Sequence, residues 1–212
     1  SLSYAISGVS ARRGMQYSTP LMVTTISVVI HTVTTWTAVF LTGGIPEVSP
    51  LPVYLFVIAG LLQPVIRLLT YTGIAKLGAS RSAPLRATHP LFSVFIAITV
   101  LQEKANLALA LGGLLVVSGI VLVSWQREEK VTTYRRWHLL LPLAAAIIAG
   151  IVHPIRRFAL GISDHPLFFT AFVGLVSLIV LVFYFVLPGI NRSQRPKWDQ
   201  RALVPFLVAS LF

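Results

Sequence analysis

The sequence has no cysteine and only 6 acidic residues among 212. Without cysteine there is no disulfide and no thiolate metal ligand, and cysteine usage says nothing about redox compartment. No acidic residue falls in the middle of an apolar run, which leaves general acid–base and metal chemistry short of groups. Charge of either sign is scarce: Asp, Glu, Lys and Arg make up 11% of the chain, against about 25% in soluble domains. The space is filled by apolar residues, 56% of the total, with a mean hydropathy of +0.83. This composition points to a bilayer. The formal net charge of +11 raises the question of nucleic acid. However, the basic residues sit in short stretches between apolar runs, the pattern of cytoplasmic membrane loops, so no nucleic-acid partner is expected.

A helix that crosses the hydrocarbon needs ~20 mostly apolar residues. Such runs are expected at residues 21–41, 52–77, 82–101, 105–125, 139–160 and 167–187, with incomplete ones at 1–11 and 202–212. The fold class is therefore an all-α membrane protein, a multi-span helical bundle of about eight spans. Because it starts at Ser1 and stops within an apolar run, the chain is expected to be a fragment cut at both ends.

An internal repeat divides it. Residues 7–20 (SGVSARRGMQYSTP) resemble residues 151–166 (IVHPIRRFALGISDHP): a span, an Arg-Arg pair, a polar turn, Pro and a new span. LFVIAGLL at 55–62 likewise echoes PFLVASLF at 205–212. The expected units are a first repeat at 1–125, a basic linker at 126–138 and a second repeat at 139–212. A first unit with an odd number of spans inserts the second in the opposite sense, as in many secondary transporters. The Lys/Arg bias places the basic loops 12–19, 76–81, 126–138 and 189–201 in the cytoplasm. The localisation expected is integral, in a prokaryotic plasma membrane.

Polar residues within spans cost free energy and usually face the bundle or a water-filled path. They fall here in stripes of three- and four-residue steps, the spacing of one helix face. The stripes are Thr24, Ser27, His31 and Thr35; Gly60, Gln63, Pro64, Arg67 and Tyr71; Ser82, Arg86, His89, Pro90 and Ser93; and Gly150, His153, Pro154 and Arg157. The residues expected to bind a small-molecule solute are Arg67, Gln63, Tyr71, Arg86, His89, Ser93, His31 and His153. Arg67 is the sharpest of them, since a mid-span arginine costs roughly 2.5–3.5 kcal/mol on insertion scales. Its planar fork suits a carboxylate or phosphate. The bland reading is that it caps carbonyls freed by Pro64 or snorkels to the membrane boundary. The histidines titrate near neutrality and are candidates for a coupling proton. More commonly such a histidine only hydrogen-bonds a neighbouring helix.

The competing class is a polytopic intramembrane enzyme such as a hydrolase. Ser82 or Ser93 with His89 would have to supply its dyad, although two groups on one helix face do not make one. No His-Glu-x-x-His or Gly-x-Ser-x-Gly occurs. No catalytic residue, metal or cofactor is expected. Ala108, Gly112 and Gly119 put small residues on one face of the 105–125 span, suited to close helix packing within the chain or in a homodimer.

The stretch around the fourth span carries a family resemblance. Leu77-Gly78-Ala79-Ser80-Arg81-Ser82-Ala83-Pro84-Leu85, then His89-Pro90-Leu91-Phe92-Ser93, then Glu103, Gly112, Gly113 and Gly119 resemble the EamA-type members of the drug/metabolite transporter superfamily. The resemblance implies a ten-helix carrier of two inverted five-helix repeats, about eight of whose spans are present. It implies export or import of amino acids, metabolites or drug-like solutes by alternating access through a central cavity. Members generally have both ends in the cytoplasm, whereas the loop charges here put the first residue outside. The family has no universal catalytic motif from which a residue role can be carried over.

Overall fold

The computed structural model describes residues 19–99, 102, 111–115, 117–119, 122 and 136–186. The expected spans at 1–11 and 202–212, the linker 189–201, and most of the 105–125 span and the 126–138 linker lie outside these residues. The first helix, α1 (Pro20–Leu41), starts where Thr19 accepts a hydrogen bond from the Met22 amide and Pro20 takes the first helical position. It stops at Gly43 and Gly44, both at positive φ. The second, α2 (Pro50–Leu77), is 28 residues long and ends on Gly78 at φ +83°, a conformation that a side chain disfavours. Then follow α3 (Ala79–Arg86) and α4 (His89–Thr99). A single 3-10 turn (Arg136–Leu139) leads into α5 (Leu140–Ile162), and α6 (Pro166–Val186) completes the described chain. There is no strand among the described residues.

Among the described residues four helices are long and apolar enough to cross a membrane: α1, α2, α5 with its leading turn, and α6. The fourth expected span, 82–101, is not one helix but two, α3 and α4, broken at Ala87 and Thr88. The reason is Pro90, which has no N–H to donate to the Arg86 carbonyl four residues back. Thr88 closes the break by donating its hydroxyl to the Leu85 carbonyl at 2.7 Å.

Among these helices α2 is central, packing against α1, α3, α5 and α6. The pairings give direction. Leu21 clusters with Leu181, Thr32 lies against Gly174, and Trp36 meets Phe168 edge-on at 6.2 Å, so α1 and α6 run antiparallel. Phe56 stacks on Phe169 at 4.3 Å while Gly60 faces Val176, so α2 and α6 run parallel. Gln63 pairs with Arg156 and Gly73 packs on Pro142, so α2 and α5 are antiparallel. One end of the bundle therefore gathers Thr19, Gly78, Leu139 and Val186; the other gathers loops 42–49 and 163–165. A cavity of about 330 Å³ lies between those two loops, lined in part by Thr42, Gly44, Asp164 and His165.

In lipid no hydrophobic force draws one helix to another, and close approach of backbones at small residues does that work. A Cβ on Gly60 would lie 2.6 Å from that of Val176, and one on Gly174 would lie 2.8 Å from the Thr32 hydroxyl. On Gly150 it would lie 3.1 Å from both the His89 carbonyl and the Ser93 amide. Two of these glycines stand four residues before a proline, Gly60 before Pro64 and Gly150 before Pro154. The proline cannot donate to the glycine carbonyl, and at Gly60 the Ser177 hydroxyl approaches to 3.0 Å, sharing its proton with the Val173 carbonyl at 2.7 Å. Gly112 and Gly119, by contrast, meet nothing within 4 Å among the described residues.

Gly60→Val is expected to force α2 from α6 and destabilise the protein by about 1–3 kcal/mol. Gly161→Ala, where a Cβ meets open space, is expected to cause no loss. Thermal unfolding in detergent checks both, and equal midpoints would contradict the packing assigned to Gly60.

Candidate functional site

The polar stripes meet in a seam on α2, which is bonded to α1 on one side and to α5 on the other, with the α3–α4 break packed on α5. Arg67 on α2 donates from Nη1 to the Ser27 hydroxyl on α1. Arg156 on α5 donates from Nη2 to Gln63 Oε1 on α2, at 3.0 Å. The two guanidinium groups lie within electrostatic reach of each other, and His31 lies within reach of both. Tyr71, one turn along α2, adjoins Arg67.

The contacts of Arg67 bear on both bland readings. It lies ten residues before the end of α2 at Leu77, about 15 Å at 1.5 Å per residue. Its hydrogen-bond partner is a side chain on another helix. The carbonyl freed by Pro64 belongs to Gly60 and faces the Ser177 hydroxyl, whose one proton it shares with the Val173 carbonyl. Arg67 is thus a half-buried cation held by a neutral hydroxyl.

Beside this pair, the break between α3 and α4 brings Arg86 and His89 to α5. The Arg86 carbonyl, deprived of its helical donor by Pro90, lies 3.2 Å from His89 Nδ1. The other side of the imidazole faces His153, with ring centroids 5.3 Å apart. His153 in turn lies within electrostatic reach of Arg86 and Arg156. Discontinuous helices whose loose backbone lines a polar site are a recurrent feature of membrane carriers.

Several expectations change in detail. On α5 the arginine that enters the seam is Arg156, while Arg157 is exposed. The signal was present, since Arg156 follows His153 by three residues, but Arg157 fits the four-residue step from His153 equally well. Ser93 contributes its backbone, which packs on Gly150; no hydrogen bond of its side chain links it to the seam. Thr24 and Thr35 return their hydroxyls to their own helix, at the Pro20 and His31 carbonyls, so that stripe narrows to Ser27 and His31. Ser82 is buried against Gly73 and its hydroxyl has no partner; it forms no bond with His89, as a nucleophile and base would require.

Charge compensation is what the seam lacks. The described carboxylates in the helix-connecting loops, Glu47 and Asp164, both lie at the far end of the bundle. Among the described residues no carboxylate faces Arg67 or Arg156. The Nε of Arg156 is buried and has no hydrogen-bond partner.

The Gln63–Arg156 bond is expected to couple α2 and α5. A double-mutant cycle of Gln63→Ala and Arg156→Ala on unfolding in detergent should give an interaction of about 0.5–1.5 kcal/mol. Strict additivity would contradict the pairing.

Comparison with known proteins adds the family. Residues 1–125 match the model of the EamA-like transporter family. Neither a curated protein nor a solved structure matches the chain. The match takes in more than half of the sequence, including α1 to α4 with Arg67, the Gly78 turn and the Pro90 break. This chain, an integral membrane protein, belongs to the EamA-like transporter family.

Proposed function

We propose that this protein is a secondary carrier that moves a small anionic or zwitterionic solute by alternating access, with the seam between α1, α2 and α5 as its solute site. The observation that carries the proposal is Arg67, a guanidinium among spanning helices whose partner is the neutral Ser27. A charge in that setting is expensive and usually marks a transport path. Gln63, Tyr71 and His31 lie near it and Arg86, His89 and His153 lie beyond Arg156, and these are the polar groups a solute would meet. Organic cations fit poorly among so many positive charges.

Two features support the inverted-repeat arrangement. Pro20 and Pro166 open α1 and α6 at matching places in the repeated sequence, and the two helices run antiparallel. The expected sidedness has support of the same kind. Lys76, Arg81 and Arg136 share one end of the bundle, and Glu47 and Asp164 share the other. By the Lys/Arg bias the first end is cytoplasmic. The hydrolase alternative gains nothing from the family or from Ser82, whose hydroxyl is sealed under Gly73.

Arg67→Ala is expected to insert into the membrane and to lose solute counterflow in proteoliposomes. Removing a charge-assisted hydrogen bond corresponds to roughly a 10- to 150-fold loss of affinity. Arg67→Lys should restore it only in part, because an ammonium lacks the planar fork. Wild-type counterflow in a folded Arg67→Ala protein would contradict the assignment.

A further inference from the structure

We infer that Arg67 and Arg156 act together as a two-guanidinium clamp for a solute bearing two negative charges. This rests on the carrier reading and sharpens it to a charge class. Neither guanidinium can shed its proton to escape burial. Each is bonded to a neutral oxygen, Ser27 Oγ for Arg67 and Gln63 Oε1 for Arg156, so among the described residues two positive charges stand uncompensated within reach of each other.

A zwitterion adds no net negative charge, and its ammonium group would face two cations. A monoanion neutralises one guanidinium and leaves the other. A doubly charged anion neutralises both, either as one tetrahedral oxyanion or as two neighbouring carboxylates. The unpartnered Nε of Arg156 is a buried donor in need of an acceptor, and such donors cost free energy until filled. Arg86 belongs to the histidine end of the seam, near His89 and His153, and is not part of this pair.

Arg156 thereby acquires a role of its own. It is the residue that selects charge, while Arg67 is needed for any anion. Gln63 holds the Arg156 fork through Nη2 and leaves Nε without an acceptor. A planar fork that binds through more than one N–H is well suited to an oxyanion with several acceptor oxygens.

The test is a titration of the detergent-purified protein at matched ionic strength with two pairs of probes. Sulfate is compared with methyl sulfate, and succinate with monomethyl succinate. Each pair differs by one charge on a nearly constant frame, and the two pairs distinguish a single oxyanion from two carboxylates. At least one dianion should bind about tenfold or more tightly than its monoester, the weight of one charge-assisted hydrogen bond. Arg156→Gln should abolish that preference, bringing each dianion to within about twofold of its monoester, below the range of one such bond. The exposed Arg157→Gln should keep the preference. Equal binding of dianions and monoesters by the wild type would overturn the clamp and leave an anion carrier standing. Binding of none of the four probes would overturn the anionic reading of the site itself. The wild-type comparison decides the matter even if Arg156→Gln does not fold.

Discussion

Positive charge without a counter-charge is the constraint on which the site depends. A guanidinium taken out of water costs several kcal/mol even after relaxation, unless good geometry and an opposite charge offset it. Among the described residues Arg67 and Arg156 have the geometry and lack the opposite charge. Ser27 and Gln63 hold their forks in place, as neutral hydrogen-bond acceptors do, without cancelling the field. Such a site is stable enough to persist and unfilled enough to want an anion. The sequence makes this a general condition of the chain, since its 6 acidic residues all fall outside the middles of the apolar runs.

The backbone that holds these groups is set by glycine and proline together. Gly60, Gly150 and Gly174 let α2, α5 and α6 approach Val176, Phe92 and Thr32 more closely than any side chain would permit. Pro64 and Pro90 each release a carbonyl from its helix. One faces Ser177 on a neighbouring helix, and the other lies beside His89. At Gly60 close packing and a freed carbonyl coincide, so the same few residues lock α2 to α6 and leave α2 free to turn Gln63 and Arg67 towards α5 and α1. At the α3–α4 break the freed carbonyl instead orients an imidazole towards His153. The two prolines thus serve opposite ends, one a joint and the other a rim of the site.

Much of this could be read from the sequence, because lipid leaves the chain few choices. Uninterrupted apolar runs placed α1, α2, α5 and α6 within two residues of their observed ends, and three- and four-residue spacing put Gln63, Arg67, His31, His89 and His153 on polar helix faces. What escaped was what periodicity cannot resolve. Hydropathy treats 82–101 as one span, whereas the missing N–H of Pro90 divides it. Adjacent Arg156 and Arg157 are indistinguishable by composition, and only the facing Gln63 on α2 decides which one turns inward. Thr24 and Thr35 share the stripe of Ser27, but a threonine hydroxyl in a helix can satisfy itself on its own carbonyls, and here both do.

The most direct measurement of the central claim is an experimental structure of the protein determined with selenate, a dianion visible by its anomalous scattering. The account predicts anomalous density between the guanidinium groups of Arg67 and Arg156, with Ser27 and Gln63 still holding them. An empty seam in which either arginine is instead paired with a carboxylate of the chain would contradict it.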